Sequence, residues 1–256
     1  MSSLDRARLF ADLHVKGSPL ILFNVWDAGS ARAVAEAGAK AIATGSWSVA
    51  GAHGFGDGEK LSLDLALANA KRIVAAVDLP VTIDFEGGYG EALEAVTANV
   101  TQLIATGAVG CNFEDQIVGG EGIYCTEHQC ARIAAMRRAA EQASLPNFFI
   151  NARTDIFLKA APATHDDSHL EEAIDRATAY AQAGASGFFA PGLRQSEQIR
   201  KLCELSPLPV NIIALPDAPS TRELAALGVA RISYGPAPYR QMIAALKTAA
   251  QKALAL

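Results

Sequence analysis

Four stretches of the chain share one grammar, and it restricts the fold more than any other feature. "AEAGAKAIATG" (35–45), "ATGAVGCNFED" (105–115), "AQAGASGFFAP" (181–191) and "LGVARISYG" (227–235) each end a helix-period run at a glycine and then begin an apolar run. Glycine there supplies the left-handed residue that closes a helix. A connection this short leaves the next strand parallel to its predecessor. The apolar runs number eight: 20–25, 41–46, 81–86, 110–115, 148–154, 187–192, 210–216 and 231–236. Helix-period segments alternate with them.

Eight strand–helix units in 256 residues predict an α/β fold, a (β/α)8 TIM-type barrel forming a single domain over 1–256. An open doubly wound sheet is the rival, but "NVWDAGSAR" after the first strand lacks G-x-G-x-x-G. Residues 1–13 read as an extra amphipathic helix. The last helix, "APYRQMIAALKTAAQKALAL", has the length and apolar stripe either to cap its own barrel or to pack on another subunit.

Charge and composition narrow the partners. A net charge of -5 argues against nucleic acid and leaves a small anionic substrate open. Cys111, Cys125, Cys130 and Cys203 have no metal-ligand spacing and read as reduced thiols. The N-terminus lacks the apolar core of a signal peptide, and no run is long enough for a membrane span. A cytoplasmic protein is expected.

In such barrels, chemistry collects at the C-terminal ends of the strands. Those ends carry Asp27, "GSWS" (45–48), Asp84 with Glu86, Glu114 with Asp115, Asn151 with Arg153, and Ser233. Strand alternation predicts that Asp84 and Glu86 both face the lumen while Phe85 packs outward. Carboxylates converging in a site of low dielectric need a proton or a cation. With Glu114 on the next strand, a hard divalent cation is the economical solution: Mg2+, with Mn2+ as a substitute. Arg153, with Asn151 on the same face, balances these acids or grips a substrate carboxylate. The amides of "GSWS" can form an anion-holding turn.

Four motifs in order, "NVWDAGSAR", "DFEGGYG", "GCNFEDQ" and "NARTD", together with the ending "APSTRELAALGVARISYGP", resemble the isocitrate lyase/phosphoenolpyruvate mutase superfamily. The resemblance spans nearly the whole chain. It implies that Asp84 is the main Mg2+ ligand, with Glu86 and Glu114 holding the ion largely through its waters. It places Asp57 and Asp27 near the metal, and Ser46 and Trp47 where backbone amides hold substrate oxygens. Arg153 falls on the arginine that contacts substrate, so Arg153, Glu114 and Asp57 are the catalytic candidates, and Ser46, Trp47, Asn151 and Arg153 the substrate-binding ones. It also implies a homo-oligomer, dimer or tetramer, with C-terminal helices exchanged between subunits.

The shared chemistry is enolate formation from a small 2-oxo or 2-hydroxy acid held on Mg2+, with a C–C or a P–C bond breaking. The segment after the fourth strand, "QIVGGEGIYCTEHQCARI", departs from the family. It lacks the K-[KR]-C-G-H of isocitrate-type lyases and the lysine- and asparagine-bearing lid of phosphonate mutases. Cys125 lies between Glu121 and Glu127, an acidic setting that raises a thiol pKa. Thr126 reads as an N-cap, with Gln129 completing a capping box. Glu121, His128 and His53 are the remaining acid–base candidates, and both histidines read first as plain residues, His128 on an exposed helix face and His53 in a loop. "PATHDDSHL" (162–170) reads as a polar loop in which Asp167 or Ser168 caps the next helix. The reading favoured is a C–C lyase. The alternatives are a phosphonate mutase or P–C hydrolase, and a family member that binds a 2-oxo acid without turnover.

Overall fold

The computed structural model describes residues 1–255. Helix α1 (Ser3–Asp12) opens with a capping box in which the Ser2 hydroxyl and the Asp5 carboxylate satisfy each other's backbone amides. The chain then alternates: β1 (Leu20–Leu22), α2 (Ala28–Glu36), β2 (Ile42–Ala43), α3 (Ser46–Ala52), α4 (Leu63–Ala76), β3 (Val81–Asp84), α5 (Leu93–Ala105) and β4 (Gly110–Glu114). It continues with α6 (Thr126–Gln142), β5 (Phe149–Arg153), α7 (Ile156–Lys159), α8 (Asp167–Gln182), β6 (Gly187–Phe189) and α9 (Ser196–Leu205). The last elements are β7 (Val210–Ile213), α10 (Thr221–Ala226), β8 (Arg231–Ser233) and α11 (Ala237–Leu254).

The eight strands are parallel in the order β1-β8-β7-β6-β5-β4-β3-β2. A parallel bridge between Val25 and Thr44 joins β1 to β2 and closes the barrel. The expected (β/α)8 fold is present. The glycines that end helices behave as the grammar requires: Gly38, Gly107, Gly184 and Gly228 all have positive φ. The strands are shorter at their C-terminal ends than the apolar runs suggested, because the chain leaves the ladder to build the mouth. Two short helices, α3 and α7, lie in those mouth loops and were not foreseen.

Helix α1 closes the opposite end of the barrel. Phe10 meets Phe149 edge-on at 5.3 Å, and His14 stacks on Phe149 at 4.1 Å. His14 is tied through Nδ1 to the Phe10 carbonyl (2.7 Å). Burial, aided by the charge of Arg231, pushes its pKa down to about 3. Among the described residues no helix is long and apolar enough to cross a membrane.

Two local expectations are corrected. Cys125 rather than Thr126 holds the N-cap position of α6, without a side-chain cap bond, and Gln129 is buried instead of closing a capping box. Asp166, not Asp167 or Ser168, caps α8, accepting from the amides of Ser168 and His169. Helix α11, for which two roles are open, is exposed beyond Met242, including Ile243, Leu246 and Leu254.

The buried neutral His14 gives a pH prediction. The unfolded chain takes up a proton below about pH 6.5 that the folded chain refuses until about pH 3, so stability falls as pH drops through that window. The slope from this one group reaches about 1.4 kcal/mol per pH unit. Urea unfolding between pH 7 and pH 4 should show this loss, and His14→Gln should flatten it.

Candidate active site

The strand register stacks the polar residues into tiers. Asp84 on β3 faces Asn112 on β4, which faces Asn151 on β5. One tier nearer the mouth, Glu114 faces Arg153. Above these tiers lies a cavity of about 290 Å³. The ends of β2 to β5 and their loops line it with Ser46, Asp57, Asp84, Asn112 and Arg153. Leu158, Phe189, Pro191, Ile213 and Leu215 add an apolar share, with Arg194 and Ser233 among them.

Asp84 ends β3 half-buried. Its Oδ2 accepts from the Ser46 backbone amide (2.9 Å), and its Oδ1 accepts from Asn112 Nδ2 (3.3 Å). The Ser46 hydroxyl donates to Asp57 Oδ1 (3.1 Å). The amide expected to hold substrate at Ser46 is thus engaged by Asp84. Trp47 lies at the cavity rim, its ring covered by the Arg240 guanidinium at 4.6 Å.

Glu86 reaches the same mouth by a different route from the one expected. Strand β3 stops at Asp84, and Glu86 has φ +47, so strand alternation does not orient it. A left-handed backbone costs a non-glycine residue roughly 1–2 kcal/mol, and this one is held by its own carboxylate. Glu86 Oε2 accepts from the amides of Gly58 and Glu59 at 2.9 and 2.8 Å. Glu59 (φ +56) accepts in turn from the amide of Tyr89 (φ +56) at 2.8 Å. Three left-handed residues therefore lock the loop after β2 to the loop after β3. Burial, with the charges of Asp84 and Asp57, pushes Glu86 up to about 7.

Arg153 is the central cation. Its Nε and Nη2 donate to the two oxygens of Asp155 at 2.6 and 2.9 Å, and its Nη1 pairs with Glu114 Oε2 at 2.8 Å. Burial drives Glu114 upward more strongly than Arg153 pulls it back, and the nearby charges of Asp155, Asp84 and Glu86 add to the rise. A guanidinium has five N–H donors, so donors remain on Arg153 for a ligand in the cavity. Asp155 was missed in the sequence, although it continues the face of Asn151 and Arg153. Asn151 is corrected: about 6.6 Å deeper along the strand, it is buried and donates to Asn112 and Asn211 rather than lining the cavity.

The other candidates lie elsewhere. Asp27 caps α2, accepting from Ser30. His53 ends α3 with Nδ1 on the Val49 carbonyl. His128 is half-buried against Tyr124, and Glu121 is exposed at the tip of the loop after β4. That loop folds as a small hairpin through an antiparallel bridge between Gln116 and Ile123. Its foot is fixed by Arg132, whose guanidinium lies between the Phe113 and Tyr124 rings and donates to the Gly87 and Gly90 carbonyls. Arg176 donates to the Tyr124 carbonyl and to buried Asp115. Neither Arg132 nor Arg176 stood out in the sequence, since each is an arginine on a polar helix.

The donor set fits a hard cation with few direct protein ligands. Asp57, Asp84, Glu86 and Glu114 crowd one mouth, and the pKa of buried Glu86 is raised in their company. Yet among the described residues no three such groups converge closely enough to cage an ion. Mg2+ is commonly held by one or two carboxylates and keeps several waters. Asp57 and Asp84 are the carboxylates of this set that line the cavity, and Glu86 and Glu114 lie behind them, each held through one oxygen.

Gly87 shows how tightly the hairpin seats. A Cβ there would fall 2.8 Å from Val118 Cγ2 and 3.0 Å from Glu59 Oε1. Gly87→Ala should cost about 1–3 kcal/mol by overpacking, measured by chemical denaturation. Adding Val118→Ala should recover part of it by removing one of the two collisions.

The family model of phosphoenolpyruvate phosphomutase matches residues 10–254. A solved protein of Burkholderia cenocepacia J2315, with a provisional phosphonomutase designation, is 49% identical at a TM-score of 0.96, over 98% of this chain and 100% of that one. The 2-methylisocitrate lyase of Salmonella typhimurium is 29% identical over 94% of this chain and 82% of its own. Phosphonopyruvate hydrolase, solved with oxalate and Mg2+, shares the fold at a TM-score of 0.82 and 21% identity, over 97% of this chain and 85% of its own.

Proposed function

Because the chain belongs to the phosphoenolpyruvate phosphomutase family, within the isocitrate lyase/phosphoenolpyruvate mutase superfamily, we propose that it is a Mg2+-dependent lyase. Its reaction is cleavage of a C–C bond in a small 2-oxo or 2-hydroxy acid through an enolate. The observation that carries this reading is the mixed lining of the cavity. Its charged part presents Asp84 and the free donors of Arg153, and the ends of β6 and β7 add apolar Phe189, Pro191, Ile213 and Leu215 beside Arg194. A carboxylate-bearing head is matched by the first and a carbon substituent by the second. The charge of Arg153 is already shared between Glu114 and Asp155. Among the other described residues lining the cavity, only Arg194 brings a cation, and Arg194 is paired with Asp217 at 3.3 Å. That supply suits a carboxylate better than a doubly charged phosphoryl group.

Asp84 would hold Mg2+ directly, and Glu86 and Glu114 through its waters. When bound, the ion supplies Lewis-acid stabilisation of charge developing on the 2-oxo acid. Arg153 orients the substrate carboxylate, its own plane fixed by the two-point contact with Asp155. The half-buried Asp84 carboxylate is kept in register by the Ser46 amide and Asn112. Ser46, Trp47 and Asp57 bring the start of α3 and its loop to the substrate. The apolar wall excludes water from the breaking bond.

The phosphonate reading stands second, favoured by the designation of the 49% identical Burkholderia protein. Incubation with Mg2+ and a panel of malate-type acids, 2-oxo acids and phosphonopyruvate separates the two. Release of a 2-oxo acid from a malate-type substrate is expected, whereas phosphate from phosphonopyruvate would replace the lyase reading with the hydrolase. Asp84→Ala should lower kcat/KM by at least about a hundredfold, on the scale of losing a charge-stabilising group, with unfolding unchanged. Retained activity in that variant would remove Asp84 from the metal.

The assembly proposed is a homo-oligomer. The exposed apolar residues of α11 lack a partner in their own barrel. A groove of about 790 Å³ lined by Leu13, Val15, Ile21, Phe23 and Val34 lies uncovered beside β1. One occupant suits it, the α11 of a second copy. Light scattering should give a dimer or tetramer, and deletion of residues 241–256 should give monomer. A monomeric full-length chain would overturn the arrangement.

A further inference from the structure

Arg231 stands at the start of β8 with its side chain inside the barrel, only 1% exposed. Among the described residues it forms no salt bridge, and its Nε and Nη1 have no hydrogen-bond partner. A buried cation without a paired carboxylate is destabilising and needs a reason. Its one side-chain contact supplies it: Nη2 donates to Asn112 Oδ1 at 3.0 Å. Asn112 Nδ2 donates onward to Asp84 Oδ1 at 3.3 Å.

We infer that Arg231 is a positioning residue for Asp84, acting through the Asn112 side-chain amide. A guanidinium has donors and no acceptor, so the atom of Asn112 that meets it is the carbonyl oxygen. The amide nitrogen is then turned to the carboxylate. Asn151 Nδ2 supports the same orientation from the next strand (2.9 Å). Asn151 is itself aligned by Asn211 Oδ1 (3.1 Å), whose own Nδ2 is held by the backbone carbonyls of Ile212 and Arg231. Of the two donors to Asn112 Oδ1, Arg231 is charged and Asn151 neutral, and charge-assisted hydrogen bonds are roughly twice as strong as neutral ones. The guanidinium polarises the amide and holds Asp84 Oδ1 from below. The Ser46 amide holds Oδ2 from the side, and the remaining lone pairs face the cavity.

The inference rests on Asp84 as the metal ligand, and the test separates the two. Mn2+ binding is followed by the EPR signal of the free ion, with metal-free unfolding measured in parallel. Wild type should bind Mn2+. Arg231→Met should weaken binding by about tenfold or more, the usual loss when a residue supporting a metal ligand is removed. Its metal-free melting temperature should be equal or higher, because an unpaired buried charge is gone. Arg231→Gln, which restores a donor to Asn112, should recover part of the affinity. Asn112→Ala should match Arg231→Met, and the double variant should bind no worse than either single one. If Arg231→Met does not fold, Asn112→Ala alone decides. Unchanged Mn2+ affinity in the folded variant, or fully additive losses in the double variant, overturns the inference. Absence of Mn2+ binding by wild type overturns the metal reading and the inference with it.

Discussion

Carboxylate crowding at one end of the barrel is the constraint on which the rest depends. Asp57, Asp84, Glu86 and Glu114 meet at a mouth that buries Glu86 and Glu114 and half-buries Asp84, and each buried charge needs a fixed answer. Glu114 has Arg153 at 2.8 Å. Glu86 has two backbone amides, from Gly58 and Glu59. Asp84 has an amide from α3 and an amide from Asn112, and keeps a face open. In the proposed reading, an acid open toward the cavity serves a ligand directly and the acids held by other groups support it, so who holds whom divides their roles.

Backbone strain maintains the division. Glu59, Glu86 and Tyr89 all adopt left-handed backbone and hold one another across two loops. Such conformations persist where surrounding contacts over-determine them, and they gather at functional sites. Here they permit two carboxylates, two residues apart, to point into one site after the strand has ended. Gly87 and Gly88 complete the turn. Gly87 leaves room for Val118 of the hairpin, and Gly88 has φ +83 with Phe113 2.9 Å from where its Cβ would lie.

The support extends away from the mouth in both directions. Below, Asn112, Asn151, Asn211, Ser233 and Arg231 fill the barrel interior with a hydrogen-bonded polar layer where many barrels of this class stack aliphatic side chains. Above, Arg132 and Arg176 fasten the foot of the hairpin to the loop after β3 and to α8. The groove beside β1 is open and the second half of α11 is exposed. The interior is thus specified by polar pairing, and apolar surface remains on the exterior.

The sequence by itself determined the barrel, its strand order and the strand ends where acids collect. Those properties are local: a glycine at each helix end, a period of two or of 3.6, and a connection too short to do anything but return. It also singled out Asp84, Glu114 and Arg153, because an ionisable residue at the end of an apolar run is visible without a partner. Only the tertiary structure decided that Glu86 arrives through a left-handed turn, that Asn151 is a support beneath the cavity, and that Asp155 fixes Arg153. It alone revealed the path from Arg231 through Asn112 to Asp84, which joins residues 119 positions apart. The physical reason is that hydrogen-bond polarity and burial belong to pairs of groups, and closing the barrel is what brings β8 inside the reach of β4.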